Sequence, residues 1–282
     1  MLSRVQIIAD STCDLPPELL ERYNIAIIPL YITLNTATYL DKIDIQPADI
    51  FAYVAEHGAL PKTAAVSVQD YVDRFTAIRA NGAEVVHINI GAGFSSCYQN
   101  ACLAAQQVSG VFPVDSQNLS SGMGLLVLKA AELAEAGLSA QEIAQALHAL
   151  APKVESSFVI DSLDYLNKGG RCSTLAALGA NLLSLKPCIE VRDGEMKVGK
   201  KYRGALKRCL KEYVQDRFQD RTDIDTSRLM LTHTMPTHDF AKDLAEEVSS
   251  LITFDESICS FAGCTISCHC GPGTLGVLFI RK

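Results

Sequence analysis

The sequence predicts an α/β protein in two halves: an N-terminal parallel-sheet α/β/α domain over residues 1–152 and a C-terminal α/β domain with a mixed sheet over 153–282. Three observations carry this. The first half alternates continuous apolar runs with amphipathic stretches, the pattern of strands buried on both faces between crossover helices. The second half places Asp193-Gly194 between two alternating runs, a hairpin signal that a purely parallel sheet lacks. A change of pattern falls near Pro152.

Taken in order, "VQIIA", "AIIPLYITL", "EVVHINI" and "VFPVD" are the N-terminal strand candidates. Between and after them, helices are expected at "PPELLERY", whose prolines suit a first turn, and at "DIFAYVAEH", "VQDYVDRFTAIRANG", "SSCYQNACLAAQQVSG" and "NLSSGMGLLVLKAAELAEAG". "SAQEIAQALHAL" opens on a capping box, Ser139 with Glu142 three residues on. In the second half, "SSFVID" and "RLMLTH" read as strands, and "GALKRCLKEYVQDRF" and "HDFAKDLAEEVSSLI" as helices. "SICSFAG" and "GTLGVLFI" supply edge and closing strands, and "CTISCHCGPG" between them also reads as strand.

Composition narrows the function classes. The chain has 282 residues, 48% of them hydrophobic and 20% charged, enough for a well-filled core. Apolar stretches fall short of the ~18 residues a membrane helix needs, and Asp10 interrupts the start before it could form a secretory core. A cytoplasmic location is the expectation. A net charge of −7, with no tryptophan and no basic stripe, argues against nucleic acid as a partner. Ten scattered cysteines suit reduced thiols packed as small hydrophobes. Cys264, Cys268 and Cys270 around His269 invite a zinc reading, but on a strand His269 faces away from Cys268 and Cys270. No metal is expected.

Four small polar clusters adjoin the apolar runs: "ADSTCDLPP", "PKTAAVS", "GAGFSSCYQN" and "DSQNLSSGMG". At the carboxyl ends of parallel strands they would share the rim where such sheets bind ligands. Helix capping accounts for the first as readily as function does. Ser95 and Ser96 are harder to dismiss, because one hydroxyl suffices for a cap and here two follow Gly-Ala-Gly at a helix start. That builds an anion pocket, and a carboxylate fits it as well as a phosphate. A phosphate loop and a Gly-x-Ser-x-Gly elbow are both absent. "YLNKGGRCS" adds Lys168 and Arg171 on a glycine turn that aims the guanidinium, against the alternative of an ordinary surface turn.

These segments together resemble the DegV family. "IADSTCDLPPELLERYNIAIIPL", "LPKTAAVS", "FSSCYQNA", "VDSQNLSSGMG", "LDYLNKGGRCS", "KPCIEVRDGEMKVGKKYRG" and "HCGPGTLGV" follow in the family's order over nearly the whole chain. The resemblance implies a two-domain carrier that binds one long-chain fatty acid, with its carboxylate at the domain junction and its acyl chain in a tunnel of the C-terminal domain. It implies as partner the catalytic subunit of a bacterial fatty acid kinase, which phosphorylates the presented carboxylate; transient membrane contact is compatible with that. It implies no catalytic residue and no cofactor beyond the bound lipid. Thr63 and Ser95 match the family's carboxylate-binding hydroxyls; Ser96 and His269 are placed with them. Arg171 and Lys168 are assigned to the head-group network or to kinase docking. The chain departs from the family at Ala64-Ala65-Val66 and at Ser96-Cys97. "STLAALGANLLSLKPCIEV" suits a tunnel wall and suits an ordinary core helix and strand equally. Two rivals are kept: an acyl hydrolase or transferase using Ser95 with His269, and a module for another small anion such as a nucleotide.

Overall fold

A computed structural model describes residues 5–172 and 185–282. In chain order the elements are β1 (Val5–Asp10), α1 (Pro17–Arg22), β2 (Ala26–Ile28), β3 (Tyr31–Leu34), β4 (Ala37–Leu40), α2 (Pro47–His57), β5 (Lys62–Ala64), α3 (Val68–Arg79), β6 (Glu84–Asn89), α4 (Cys97–Ala105), β7 (Val111–Asp115), α5 (Ser120–Glu135) and α6 (Ala140–Leu150). A short 3₁₀ turn, Ala151–Lys153, leads into β8 (Val154–Val159) and α7 (Asp164–Gly169). Then come β9 (Leu185–Arg192), β10 (Glu195–Arg203), α8 (Leu206–Phe218), β11 (Ile224–His233), α9 (Asp239–Ser249), β12 (Glu256–Phe261), α10 (Cys264–Cys270) and β13 (Leu275–Arg281).

The first half contains the expected parallel sheet, ordered β2-β1-β6-β7. The second half forms a mixed sheet, β10-β9-β8-β13-β11-β12, in which β11 and β12 run parallel and the other pairs antiparallel. Asp193 and Gly194 both take positive φ at the β9–β10 turn, as the hairpin signal requires. The capping box at Ser139 and Glu142 forms as read.

Three sequence expectations are corrected. "AIIPLYITL" is not one strand. It divides around Pro29 into β2, in the parallel sheet, and β3, in a separate antiparallel sheet ordered β4-β3-β5. Proline has no N–H for a ladder, and the Leu30 amide donates instead to the Ser11 hydroxyl at 3.1 Å. "CTISCHC" is the helix α10 rather than a strand. Strand β13 does not close the sheet but lies inside it, between β8 and β11, while β12 forms one edge as expected.

One apolar core runs through the two larger sheets, from Ile7 and Val86 to Phe158, Ile189 and Leu278. Helix α5 lies at its centre, with Ser120 through Leu128 buried and contacts to β1 and β6 on one side and β8, β11 and β13 on the other. Its small residues permit that approach: Gly122 sits against Ser156 and Asn118, and Gly124 against the Cys13 carbonyl. Eight of the ten cysteines are buried. Among the described residues no helix is long and apolar enough to cross a membrane. Most of the expected tunnel-wall segment, residues 173–184, lies outside the described residues.

Candidate functional site

The polar clusters that follow β1, β6 and β7 lie at one end of the parallel sheet, because the register runs all three strands the same way. They differ in what they do. Asp10 caps nothing locally. Its buried carboxylate accepts from Tyr71 Oη at 2.8 Å and the Ile90 amide at 3.0 Å, and lies 3.2 Å from His87 Nε2. It fastens β1 to β6 and α3, a structural task. Gly91 and Gly93 are close-approach positions rather than a phosphate cradle: a Cβ on Gly91 would meet the Asn118 backbone, and one on Gly93 would meet the Gly194 carbonyl at the hairpin tip.

Ser95 and Ser96 separate. Ser96 is exposed at the start of α4 and makes no side-chain cap bond. Ser95 Oγ accepts the Cys97 amide at 3.3 Å and faces a small cavity of ≈ 50 Å³. Thr63, on β5 of the small antiparallel sheet, lines the same cavity, as do Arg171 and His269. Leu30, Ile90, Phe94, Leu119, Met196 and Ile266 supply apolar wall. Four of the six expected residues therefore converge. Lys168 is exposed on α7 and, like Ser96, is not part of this wall. Beyond Phe94, Arg171 and Met196 the cavity adjoins a polar recess of ≈ 270 Å³.

Helix α10 brings His269 to the cavity, and its placement depends on residues far away in sequence. Asp41 accepts from the Cys264 amide at 2.9 Å, the Thr265 amide at 3.2 Å, Thr265 Oγ1 at 2.7 Å and Ser11 Oγ at 2.9 Å. Asp14 accepts from the Gly263 amide at 2.8 Å, Lys42 Nζ at 3.1 Å and Ser120 Oγ at 2.6 Å. Two buried carboxylates thus satisfy the open amides of the helix start and complement its dipole. Cys264 and Cys268, four apart on the helix, pack with Ile32, Ile45 and Ile50. Among the described residues no group of three His, Cys, Asp or Glu side chains is arranged to hold a metal ion.

His269 Nε2 and Thr63 Oγ1 are hydrogen-bonded at 2.9 Å. The other ring nitrogen, Nδ1, is buried without a partner. Burial, and secondarily the positive Arg171, push the imidazole down to about 4, so it is neutral at pH 7. The Lys-Gly-Gly-Arg turn explains itself here. Gly170 ends α7 in the left-handed conformation, and Gly169 has no Cβ where one would strike His269 Nδ1. Arg171 Nη1 donates to the Gly169 carbonyl at 2.7 Å, which holds the guanidinium at the cavity. In ligand-free protein, Gly169→Ala should displace the ring toward water and raise its pKa from about 4 toward the ordinary value near 6.5. An NMR titration of the histidine ring reads this directly, and an unmoved value would refute the packing argument.

Taken together, the fold and site define an α/β protein that closes an apolar cavity with a polar, cation-bearing head between two sheets. The chain belongs to the DegV family, whose model, described as "Uncharacterised protein, DegV family", matches residues 4–282. A DegV domain-containing protein of Clostridium acetobutylicum is 32% identical over 288 residues, covering 100% of each chain. A fatty-acid-binding DegV family protein of Thermus thermophilus superposes with a TM-score of 0.88 at 31% identity, covering 99% of this chain and 100% of its own. A stearic-acid-binding protein of Eubacterium ventriosum gives 0.85 at 26% identity, covering 99% and 98%.

Proposed function

We propose that this protein is a carrier for a long-chain fatty acid, which it presents to a separate kinase for conversion to an acyl phosphate. The observation that carries the reading is the convergence of Thr63, Ser95, His269 and Arg171 on one cavity whose remaining wall is largely apolar. A carboxylate there can accept from both hydroxyls and from the guanidinium, with His269 Nε2–H donating to Thr63 Oγ1 and so turning the Thr63 proton toward the ligand. Residues 1–152 supply the two hydroxyls with Leu30, Ile90, Phe94 and Leu119 of the wall, and residues 153–282 supply His269, Arg171, Met196 and Ile266. The polar recess beyond Arg171 gives a kinase access to the head group. Relatives that bind fatty acids support the same reading.

The acyl chain dominates affinity: about 0.8 kcal/mol per methylene gives roughly 11 kcal/mol gross for some 14 carbons, against ~4–15 kcal/mol for association. The head-group bonds decide which end sits where. The hydrolase reading is weaker, because His269 is engaged with Thr63 while Ser95 bonds to Cys97 and, among the described residues, has no base as a hydrogen-bond partner.

Native mass spectrometry of the purified protein should show one fatty acid per chain. Thr63→Ala or Ser95→Ala should each weaken retention roughly tenfold or more, the equivalent of about 1.5–3 kcal/mol for a charged hydrogen bond. With ATP alone the loaded protein should form no acyl phosphate, and adding a fatty acid kinase catalytic subunit should restore the reaction. Protein that stays empty when offered fatty acid would sink the proposal. Covalent capture of Ser95 by a fluorophosphonate would transfer the case to the hydrolase.

A further inference from the structure

The two hydroxyls at the head-group cavity are not equally ready to donate. His269 Nε2–H donates to Thr63 Oγ1 at 2.9 Å, which leaves the Thr63 proton for the cavity. The Ser95 proton is already spent. Ser95 Oγ donates to Cys97 Sγ at 3.2 Å and accepts the Cys97 amide at 3.3 Å, so one residue holds the hydroxyl from both sides.

The direction of that bond is set from deeper in the protein. Asp10 is fully buried, and its carboxylate only accepts. Tyr71 Oη donates to it at 2.8 Å, which leaves the phenol oxygen as an acceptor. The fully buried Cys97 thiol lies against that phenol. Burial pushes the thiol up to about 12, so it keeps its proton. The thiol proton then belongs to Tyr71, the sulfur is left to accept, and Ser95 supplies what it accepts. Ser95, Cys97, Tyr71 and Asp10 form one relay with every proton pointing inward, away from the cavity. Hydrogen bonds aligned in this way strengthen one another. Sulfur is a weaker acceptor than a hydroxyl oxygen, and it stands at the one joint that must open when a carboxylate arrives.

We infer that Cys97 is a positioning residue for the head group: its sulfur holds the Ser95 proton in the lipid-free protein and yields it to the incoming carboxylate. Cys97 lies behind Ser95 and acts through it. The inference rests on the fatty-acid reading above and adds to it why Ser95, unlike Thr63, donates only when a ligand is present.

Two measurements test it. Cys97→Ala removes the competing acceptor and should tighten hexadecanoic acid roughly three- to fivefold, while Cys97→Ser supplies a stronger acceptor and should weaken it by a similar factor. In a Ser95→Ala background neither change should move the affinity more than about 1.5-fold. The reverse order, no change, or equal changes in both backgrounds overturns the inference, since a merely structural role does not act through Ser95. The second measurement is infrared. The Cys97 S–H stretching band, assigned by its loss in Cys97→Ala, should move to higher frequency in lipid-free Ser95→Ala, where the sulfur no longer accepts. Loading the wild type with hexadecanoic acid should move it the same way. A band unmoved by either change overturns the inference. Failure of the wild type to bind hexadecanoic acid overturns the carrier reading instead, and the lipid-free band still decides whether the relay exists.

Discussion

Asp41→Ala should destabilise the protein by about 3–5 kcal/mol, the largest loss expected from a single side chain outside the apolar core. The carboxylate is 1% exposed and serves four donors: the Cys264 and Thr265 amides and the Thr265 and Ser11 hydroxyls. Alanine leaves these donors stranded where water does not reach, and each orphaned group costs about 1–3 kcal/mol. Asp41→Asn should cost less, since it keeps one accepting oxygen. Both should also shift α10, and with it the bond between His269 and Thr63. Urea unfolding of the variants checks the first effect. A loss below about 1 kcal/mol for Asp41→Ala would mean that the helix start has other means of satisfaction.

Acidification of the lipid-free protein should be nearly as damaging. Burial pushes both His233 and His269 down to about 4, below the value near 6.5 of an unfolded chain. Between those limits the unfolded chain binds protons that the folded one refuses, so stability falls as pH drops from 6.5 to 4 and levels off below. Each histidine contributes about 3 kcal/mol to that fall. Asp14 acts in the opposite sense, since burial raises its carboxyl above the ordinary range and its protonation favours the folded form. His238, also pushed down by burial, and the lowered carboxyls of Glu155 and Asp225 act in the same sense as the two histidines, so the expected net slope is a loss. Thermal melts from pH 7 to pH 4 should show it, and a bound carboxylate beside His269 should flatten it by favouring the imidazolium. A stability that is flat or rising toward pH 4 would contradict the burial of these rings.

What could be read from the chain, and what could not, follows from the range of the interactions. The strand–helix alternation and the Asp193-Gly194 hairpin depend on neighbours a few residues apart, so periodicity reported them. Thr63 and Ser95 were legible through family resemblance and meet at one cavity. Helix α10 was misread because its start is satisfied by Asp14 and Asp41, more than two hundred residues upstream. The small sheet β4-β3-β5 was missed because its strands are three or four residues long; Asn35, at positive φ in the turn between β3 and β4, is a signal that could have found it. Gly169 looked like an aiming device for Arg171, and its second task was hidden because His269 lies a hundred positions away.

Helix α5 has one further implication. Because it is wedged against strands of both sheets, neither half owns it. A fragment stopping near Lys153 would carry α5 with a bare flank, and the complementary fragment would lack the surface that shields β8, β11 and β13. The two lobes are therefore poor candidates for exchange between relatives as interchangeable modules, and a chimera should be cut elsewhere.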